Sequence, residues 1–307
     1  MSPLRQPLAD YLAVRRALGY KLARPEKLLG QFITYLEEAG AATVTTRHAL
    51  AWAILPGGDA SWHALRLSAV RGFATYLRTL DPATEIPPAD LIPWRPRRAT
   101  PYLYSDADIT ALIAATAFLR FPLRAATYQT LIGLLAVTGM RVGEAIRLDR
   151  TDADLTDGVL TIRESKFGKS RLVPLHPTTV TALGAYLRLR DRLHPHPSAP
   201  AIFISPAGTR LLYCNVHSTF QRLASQAGLR PRSASCRPRI HDLRHSFAVR
   251  SLLDAYAAGQ DGQARLALLS TWLGHVDPGA TYWYLSAAPE LLALAGQRLD
   301  HHLRERP

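Results

Sequence analysis

Residues 241–248 of the chain, HDLRHSFA, place two histidines and an arginine at helical spacing. In a helix, His241, Arg244 and His245 lie three and four residues apart, on neighbouring positions of one face. Two histidines four apart can bind zinc, as in H-E-x-x-H enzymes, but here Asp242 replaces the glutamate and a guanidinium beside a dication is repulsive. A face lined with cations suits an anion such as phosphate much better.

The overall charge favours the same class of ligand. The 307-residue chain has a formal net charge of +13, which is typical of a protein with a polyanionic partner, either nucleic acid or, less often, an anionic membrane. Its most apolar run, LIGLLAV at residues 131–137, is far shorter than the roughly 20 residues that span a bilayer. The N-terminus lacks the apolar region of a signal peptide, and Cys214 and Cys236 suggest neither a disulfide framework nor a zinc site. We therefore expect a cytoplasmic protein.

Helical periodicity on both sides of a proline-rich stretch predicts two domains. Residues 81–102, DPATEIPPADLIPWRPRRATPY, are predicted to be extended because proline restricts itself and the residue before it. Before them, apolar residues recur three and four apart, and Gly40 is predicted to cap a helix. Arg66 and Arg71 face either DNA or solvent. The predicted boundaries are a helical domain at 1–85, a linker at 86–103 and a second domain at 104–307.

The second domain is predicted to combine helices with a small sheet. Ser105 and Asp108 have the spacing of a capping box, and the run at 131–137 is apolar on all sides, as in a fully buried helix. The segments GVLTIRES and RLVPL, separated by KFGK, predict a β-hairpin with Gly168 in its turn. The fold class is therefore mainly α with a small antiparallel β-sheet.

Other cations lie near predicted turns. In TGMRVGE, residues 138–144, the buried helix is expected to end at Gly139, so that Arg141 joins the amides of the next helix in a place that favours an oxyanion. Taken alone, Arg141 is better explained as a surface residue or as the partner of Glu144. The hairpin tip holds Lys166, Lys169 and Arg171, which are either solvated or able to deliver an amine to a substrate.

Two tyrosines near the C-terminus, in TYWYL at residues 281–285, are candidates for a reactive phenol. Tyr282 and Tyr284 lie two residues apart, which is about 200° around a helix, so only one of them can enter a given pocket. His275, nine residues before Tyr284, either caps a helix or belongs to the same pocket.

Together these segments, in their order along the chain, resemble the tyrosine recombinase family of phage integrase and Xer-like enzymes. That family has the catalytic pattern Arg, Lys, His-x-x-Arg, His or Trp, and Tyr, and the resemblance covers residues from about 104 to 290. It implies a helical, SAM-like core-binding domain followed by an α+β catalytic domain. Carried over residue by residue, the implied site is Arg141, Lys166, His241, Arg244, His275 and Tyr284.

The resemblance also implies a reaction without metal, ATP or any other cofactor. Tyr284 would attack a scissile phosphate, form a 3′-phosphotyrosine bond and release a 5′-hydroxyl. The roles implied for the other residues are phosphate binding by Arg141 and Arg244, hydrogen bonding to the phosphate by His275, proton uptake or relay by His241, and protonation of the leaving oxygen by Lys166, with Lys169 as the alternative. Glu144 would orient the cations around it, and Tyr282 and Trp283 would pack.

The partners implied are double-stranded DNA, held in a clamp by both domains, and further copies of the chain. A homo-tetramer would act on two duplexes, or related recombinase subunits would replace some copies, in a cytoplasmic, nucleoid-associated setting. The amphipathic tail at 290–307 either closes the core of its own chain or, as is common in the family, docks on a neighbouring protomer, and we expect docking. Alternatives are relaxation like that of a type IB topoisomerase, a catalytically silent DNA-binding protein and, in a different class, a zinc hydrolase. The DNA site, and a role for a mobile element, a phage or chromosome resolution, stay open.

Two segments depart from the pattern or extend it. Residues 254–267, DAYAAGQDGQARLA, make the spacing from Arg244 to His275 longer than is typical, and Gly259 and Gly262 are predicted to lie in a loop there. The basic loop before His241 is expected to add phosphate contacts. Its arginines are Arg230, Arg232, Arg237 and Arg239.

Overall fold

The computed structural model describes residues 3–93, 99–163, 170–275, 277, 279–286, 293 and 296. The chain divides into two units, Met1–Arg98 and Ala99–Pro307. Whether these units act as the two predicted DNA-binding domains stays a prediction. Within the described ranges, no helix is both long and apolar enough to cross a membrane.

The described part of the N-terminal unit is helical, as its periodicity predicts. Its helices are α1 (Arg5–Ala17), α2 (Ala23–Glu38), α3 (Thr46–Ile54) and α4 (Ala60–Leu77). Thr45 and Asp59 cap α3 and α4 by accepting hydrogen bonds from main-chain N–H groups, which pairs donors that a helix leaves unsatisfied. Gly40 follows α2 with φ +64°, a left-handed conformation that favours glycine at this position.

Arg66 on α4 belongs to the core of this unit. Its side chain is only 6 % exposed, it donates to the main-chain oxygen of Trp52 at 2.7 Å, and its guanidinium carbon lies 3.6 Å from the centre of the Trp52 ring. The expectation that Arg66 faces DNA or solvent is therefore wrong. Periodicity did not separate this residue from Arg71, because the aliphatic stem of an arginine fits an apolar face.

The described part of the second unit combines helices with a three-stranded antiparallel sheet, so the predicted fold class is confirmed. Its strands are β1 (Ala153–Asp154), β2 (Val159–Ile162) and β3 (Arg171–Pro174), in the order β1-β2-β3. Ile162 pairs with Arg171, which confirms the two predicted arms of the hairpin; the predicted turn at Gly168 lies outside the described residues. The helices are α5 (Asp106–Ala115), α6 (Pro122–Thr138), α7 (Val142–Arg147), α8 (Pro177–Leu193), α9 (Tyr213–Gln226), α10 (Asp242–Ala257), α11 (Gly262–Leu273) and α12 (Gly279–Ser286).

The capping box predicted at the start of α5 is present, with Ser105 and Asp108 in reciprocal hydrogen bonds. The prediction that the run in α6 is fully buried is correct for Leu131 and Leu135 but wrong for Val137, which is 51 % exposed. Val137 lines an apolar groove between α5, α6 and α8. An apolar run in the sequence does not predict such a groove, because the residues are the same whether or not neighbouring helices cover every side of the helix.

The long spacing between Arg244 and His275 is absorbed mainly by helices. α10 continues to Ala257 and α11 begins at Gly262, so the predicted loop contains Gly259 but not Gly262. A Cβ atom at Gly262 would lie 2.4 Å from the Tyr256 hydroxyl. The glycine is therefore explained by close packing at the start of α11.

Candidate active site

The corner between α6 and α7 brings a glycine and an arginine to the predicted position. α6 ends as expected at Gly139, which has φ +63°, and a Cβ atom there would lie 2.4 Å from the Phe247 ring. Arg141 is the N-cap of α7, but its amide donates to Glu144 Oε2 at 2.9 Å. The Glu144 carboxylate therefore accepts a hydrogen bond from the Arg141 amide, which the motif alone predicts to be available to an oxyanion.

Glu144 joins two arginines from different elements. Its Oε1 accepts from Arg141 at 2.8 Å and from Arg171 at 3.2 Å, and its Oε2 accepts from Arg171 at 2.8 Å. Burial raises the pKa of the carboxyl, but hydrogen bonds and charge from Arg171 and Arg141 outweigh that effect and lower it to about 2. Glu144 is thus a buried anion whose cost of desolvation is offset by strong partners.

Arg244 lies at the centre of the site, on the first turns of α10. Only 3 % of the residue is exposed, and it donates to the carbonyl oxygens of Gly139 at 2.9 Å and Leu273 at 2.8 Å. It also contacts His275 Nε2 at 2.9 Å, and its positive charge acts on the Tyr284 phenol. Burial, followed by the charge of Arg141, lowers the pKa of Arg244 to about 10, so it stays cationic at neutral pH.

His275 follows α11 at a left-handed glycine, Gly274 with φ +67°. Because a guanidinium has no acceptor, the contact with Arg244 requires an unprotonated Nε2 on His275. The proton of a neutral ring then lies on Nδ1, which is 2.7 Å from Thr281 Oγ1. Burial and then the charge of Arg244 lower the pKa of His275 to about 4, which agrees with a neutral ring.

The two phenols are separated by burial. Tyr284 is 2 % exposed, and its ring lies 5.5 Å from that of His245 and 6.1 Å from that of His275. Burial raises the pKa of the Tyr284 phenol, against the opposing effect of the Arg244 cation. Tyr282 is 54 % exposed, so its expected packing role is wrong: α12 turns it away from the side that buries Tyr284. The side chain of Trp283 lies outside what the structure describes.

The two histidines of α10 pack edge to face with their ring centres 5.1 Å apart. His241 is an exposed residue. Desolvation of its ring by the surrounding protein, followed by the charge of Arg244, nevertheless lowers its pKa to about 4. Burial, with His241 as the next cause, lowers the pKa of His245 to about 3. Both rings are therefore neutral at pH 7 and able to accept a proton.

Asp242 connects the same helix to the segment that precedes α5. It is fully buried and accepts from the Tyr102 amide at 3.1 Å and twice from Arg239 at 2.9 Å. Arg232 donates to the Leu103 carbonyl at 3.1 Å. Arg232, Arg237 and Arg239 of the basic loop thus have hydrogen-bond partners within the chain, and Arg230, Arg232 and Arg237 are exposed. Phosphate contacts by these four arginines stay a prediction.

The structure brings together Arg141, His241, Arg244, His275 and Tyr284 of the predicted set, whereas Lys166 and Lys169 lie outside the described residues. Sequence reasoning missed Thr281 as the partner of His275, and it left Arg171 among the hairpin-tip cations that are either solvated or able to deliver an amine. Position in the hairpin could have signalled Arg171, since it begins a strand rather than a turn. Among the described residues, no group of three or more His, Cys, Asp or Glu is placed to hold a metal ion.

Comparison with known proteins identifies relatives of the whole chain. Residues 106–290 match the Phage integrase family. A protein of Sinorhizobium fredii (strain NBRC 101917 / NGR234) named "Putative integrase/recombinase y4rB" is 45% identical over 313 residues, covering 100% of both chains.

Solved structures share the fold at low sequence identity. The XerH site-specific recombinase bound to its palindromic difH substrate, in a post-cleavage complex, matches with a TM-score of 0.62 and 19% identity, over 91% of this chain and 78% of that chain. A lambda integrase tetramer bound to a Holliday junction matches with a TM-score of 0.60 and 20% identity, over 92% of this chain and 76% of that chain.

Proposed function

The chain belongs to the phage integrase family of tyrosine recombinases, and from that premise we propose that it cuts and rejoins DNA at specific sites through a 3′-phosphotyrosine intermediate. One observation carries the proposal: the phenol of Tyr284 is buried where the charge of Arg244 acts on it, and Arg244 also contacts His275. A phosphate held by Arg244 would lie beside the phenol that attacks it. Neither metal nor ATP is required in this proposal.

In the proposed step, Tyr284 Oη bonds to the scissile phosphorus while the bond from phosphorus to the 5′-oxygen breaks. One phosphodiester is exchanged for one phosphotyrosine ester, so rejoining is the same exchange in reverse and consumes no external energy. The phenol proton passes to His241, whose ring is neutral at pH 7. Lys166 supplies a proton to the departing 5′-oxygen.

Charge at the site supports stabilisation of the phosphate. The cations that act on His275 are Arg244, Arg141 and Arg171, against the single carboxylate Glu144. Fixed donors aimed at developing negative charge are worth most where water is excluded. Arg141 retains 29% side-chain exposure, whereas Arg244 is buried, so we assign entry of the phosphate to the Arg141 side of the pair.

The N-terminal unit has a groove suited to a nucleic-acid backbone. The groove encloses about 950 Å³, and its lining includes Arg15, Arg24, Arg71 and Trp62. The Arg24 guanidinium carbon lies 5.1 Å from the centre of the Trp62 ring. We propose that this surface contributes to the salt-dependent grip on the duplex.

Assembly on two duplexes is a further part of the proposal. A tetramer on a Holliday junction has been solved for lambda integrase, and we propose the same stoichiometry here, with the tail at 290–307 docked on a neighbouring protomer. Its apolar residues Leu291, Leu292, Leu294 and Leu299 lie outside the described residues. Deletion of 290–307 should abolish synapsis in a gel-shift assay while leaving weak DNA binding. Normal recombination by the truncated protein would contradict docking of the tail.

Covalent capture tests the strand-transfer proposal and identifies the DNA site in the same experiment. The full-length protein is incubated in EDTA, without ATP, with a pool of nicked duplexes of randomised sequence. SDS-resistant adducts are then isolated and their DNA is sequenced. The wild type should form adducts enriched in one motif, and Tyr284→Phe should form none.

Tyr282→Phe is the matched control, because it removes an exposed phenol from the same helix, and it should retain the adduct. Loss of the adduct in Tyr282→Phe but not in Tyr284→Phe would overturn the assignment of the nucleophile. Adducts without sequence preference would instead indicate relaxation of the topoisomerase type. A wild type that binds DNA and never forms an adduct would be a catalytically silent member of the family.

A further inference from the structure

Arg171 connects three parts of the second unit through one guanidinium. It begins β3, where pairing with Ile162 fixes its backbone. Its Nη atoms donate to both oxygens of Glu144, and its Nε donates to the Trp272 carbonyl at 2.9 Å. Only 12% of the side chain is exposed. A planar fork bound on two edges has one available orientation.

The Trp272 carbonyl belongs to the last turn of α11, where a helix leaves its oxygens without intrahelical partners. The next carbonyl, that of Leu273, is occupied by Arg244. A Cβ atom at Gly274 would lie 2.9 Å from Arg171 Nη1, so the guanidinium packs directly beneath the residue that precedes His275. Arg171 thus supports the end of α11 from one side and Arg244 from the other.

Glu144 extends this support to the other side of the site. It holds Arg141 by a side-chain bond of 2.8 Å and by the Arg141 amide. Displacement of Arg171 would leave Glu144 with Arg141 as its remaining guanidinium partner among the described residues. The same change would leave the Trp272 carbonyl without its donor. The positions of both His275 and Arg141 would then be held less firmly.

We propose that Arg171 is a positioning residue for strand transfer, which holds His275 through the end of α11 and Arg141 through Glu144. The inference rests on the proposed function of the site. In this proposal Arg171 makes no contact with the substrate: three of its five N–H groups donate to Glu144 and Trp272. Its effect reaches the reaction through residues that do face the phosphate.

The test compares Arg171→Met and Arg171→Lys with a matched control, Arg163→Met. Arg163 lies next to β2 and forms an ion pair with the buried carboxylate of Asp152, so the control also removes an arginine–carboxylate pair from the sheet region. Three quantities are measured on the full-length protein: the single-turnover rate of adduct formation on captured DNA, the dissociation constant for that DNA, and the NMR titration of His275. The His275 signal is assigned with His275→Gln.

Arg171→Met should slow adduct formation by about tenfold to hundredfold, the scale of a misplacement near 1 Å, while the dissociation constant changes by less than about twofold. Arg171→Lys should be intermediate, because an ammonium cannot reproduce the fork. The pKa of His275 should rise from about 4 in Arg171→Met, since the Arg171 charge contributes to lowering it, and should rise less in Arg171→Lys. Arg163→Met should change neither the rate nor the titration.

Other titratable or polar groups that face His275 could also shift its pKa, and none of them is substituted in these variants. They are Arg244 and His245 from α10, Arg141 and Glu144 from the corner of α6 and α7, and Thr281 and Tyr284 from α12.

A rate of adduct formation for Arg171→Met within about twofold of the wild type would overturn the proposal whatever the His275 titration shows, because loss of the Arg171 charge alone shifts that titration. If Arg171→Met does not fold, Arg171→Lys decides by the same criterion. If the wild type itself forms no adduct, the proposed function fails, and the positioning claim is then judged by the His275 titration in Arg171→Lys, which keeps the positive charge and needs no DNA: a His275 pKa equal to that of the wild type would overturn it.

Discussion

Two buried arginines, one in each unit, show that burial alone does not identify a reactive group. Arg66 is 6 % exposed and Arg244 is 3 % exposed, and both donate to main-chain carbonyls. Arg66 stacks on the Trp52 indole, whereas Arg244 contacts the His275 imidazole and its charge acts on the Tyr284 phenol. The partners therefore separate an arginine that packs from one that lies among the candidate catalytic groups.

The electrostatic surroundings differ in the same sense. Burial alone lowers the pKa of Arg66. For Arg244, burial is joined by repulsion from Arg141, and Glu144 opposes both. A centre with an excess of positive charge is stabilised by the arrival of phosphate, while the surroundings of Arg66 would gain nothing from it. Four changes should sharpen or break this contrast.

The largest effect is expected from Arg244→Lys. An ammonium cannot donate in three fixed directions to two carbonyls and the His275 ring, so the rate of adduct formation should fall by about 10²–10³-fold, as for loss of an oxyanion donor. Single-turnover capture measures the rate, and Arg66→Lys, the same exchange in the other unit, should leave the rate per folded molecule unchanged. Equal losses in both variants would remove the contrast.

Acid should destabilise the second unit next most strongly. The pKa values of His241, His245 and His275 are lowered to about 4, 3 and 4, below the ordinary value of about 6.5. Between these values the unfolded chain binds more protons, so the free energy of unfolding should fall as pH drops from about 6.5 to about 4. Urea unfolding at a series of pH values measures this, and His245→Asn should reduce the slope.

Arg66→Met should lower stability and leave the chemistry intact. The Trp52 carbonyl loses its donor and the ring loses a cation, but a buried charge is also removed, so the net loss of unfolding free energy should be about 1–2 kcal/mol. Urea unfolding reports the loss, and the capture assay reports the rate of the folded fraction. A fall in that rate beyond about tenfold would contradict a purely structural role for Arg66.

The smallest effect is expected from Arg71→Gln in the N-terminal groove. Loss of one phosphate contact should reduce the slope of log affinity against log salt by about 1, with little change in the rate of adduct formation at saturating DNA. Arg78→Gln is the control, because Arg78 is exposed at the end of α4 and outside the groove lining. Identical slopes for both variants and the wild type would exclude this groove as a phosphate contact.

Local patterns predicted the elements of this chain well where the cause is local. The capping box of Ser105, the end of α6 at Gly139 and the arms of the hairpin all depend on residues within a few positions of each other. Predictions that depended on a distant neighbour failed. Val137 was expected to be buried and Tyr282 to pack, yet both are exposed.

For the candidate site, motif order alone identifies which residues belong together, because Arg141, Arg244, His275 and Tyr284 carry chemistry that requires their types. Their mutual geometry depends on contacts across more than a hundred residues, such as Arg244 with the Gly139 carbonyl and Arg171 with the Trp272 carbonyl. Packing of α6, α10 and α11 creates these contacts. The role proposed for Arg171 can therefore be inferred only from the folded chain, because its partners Glu144 and Trp272 are far from it in the sequence.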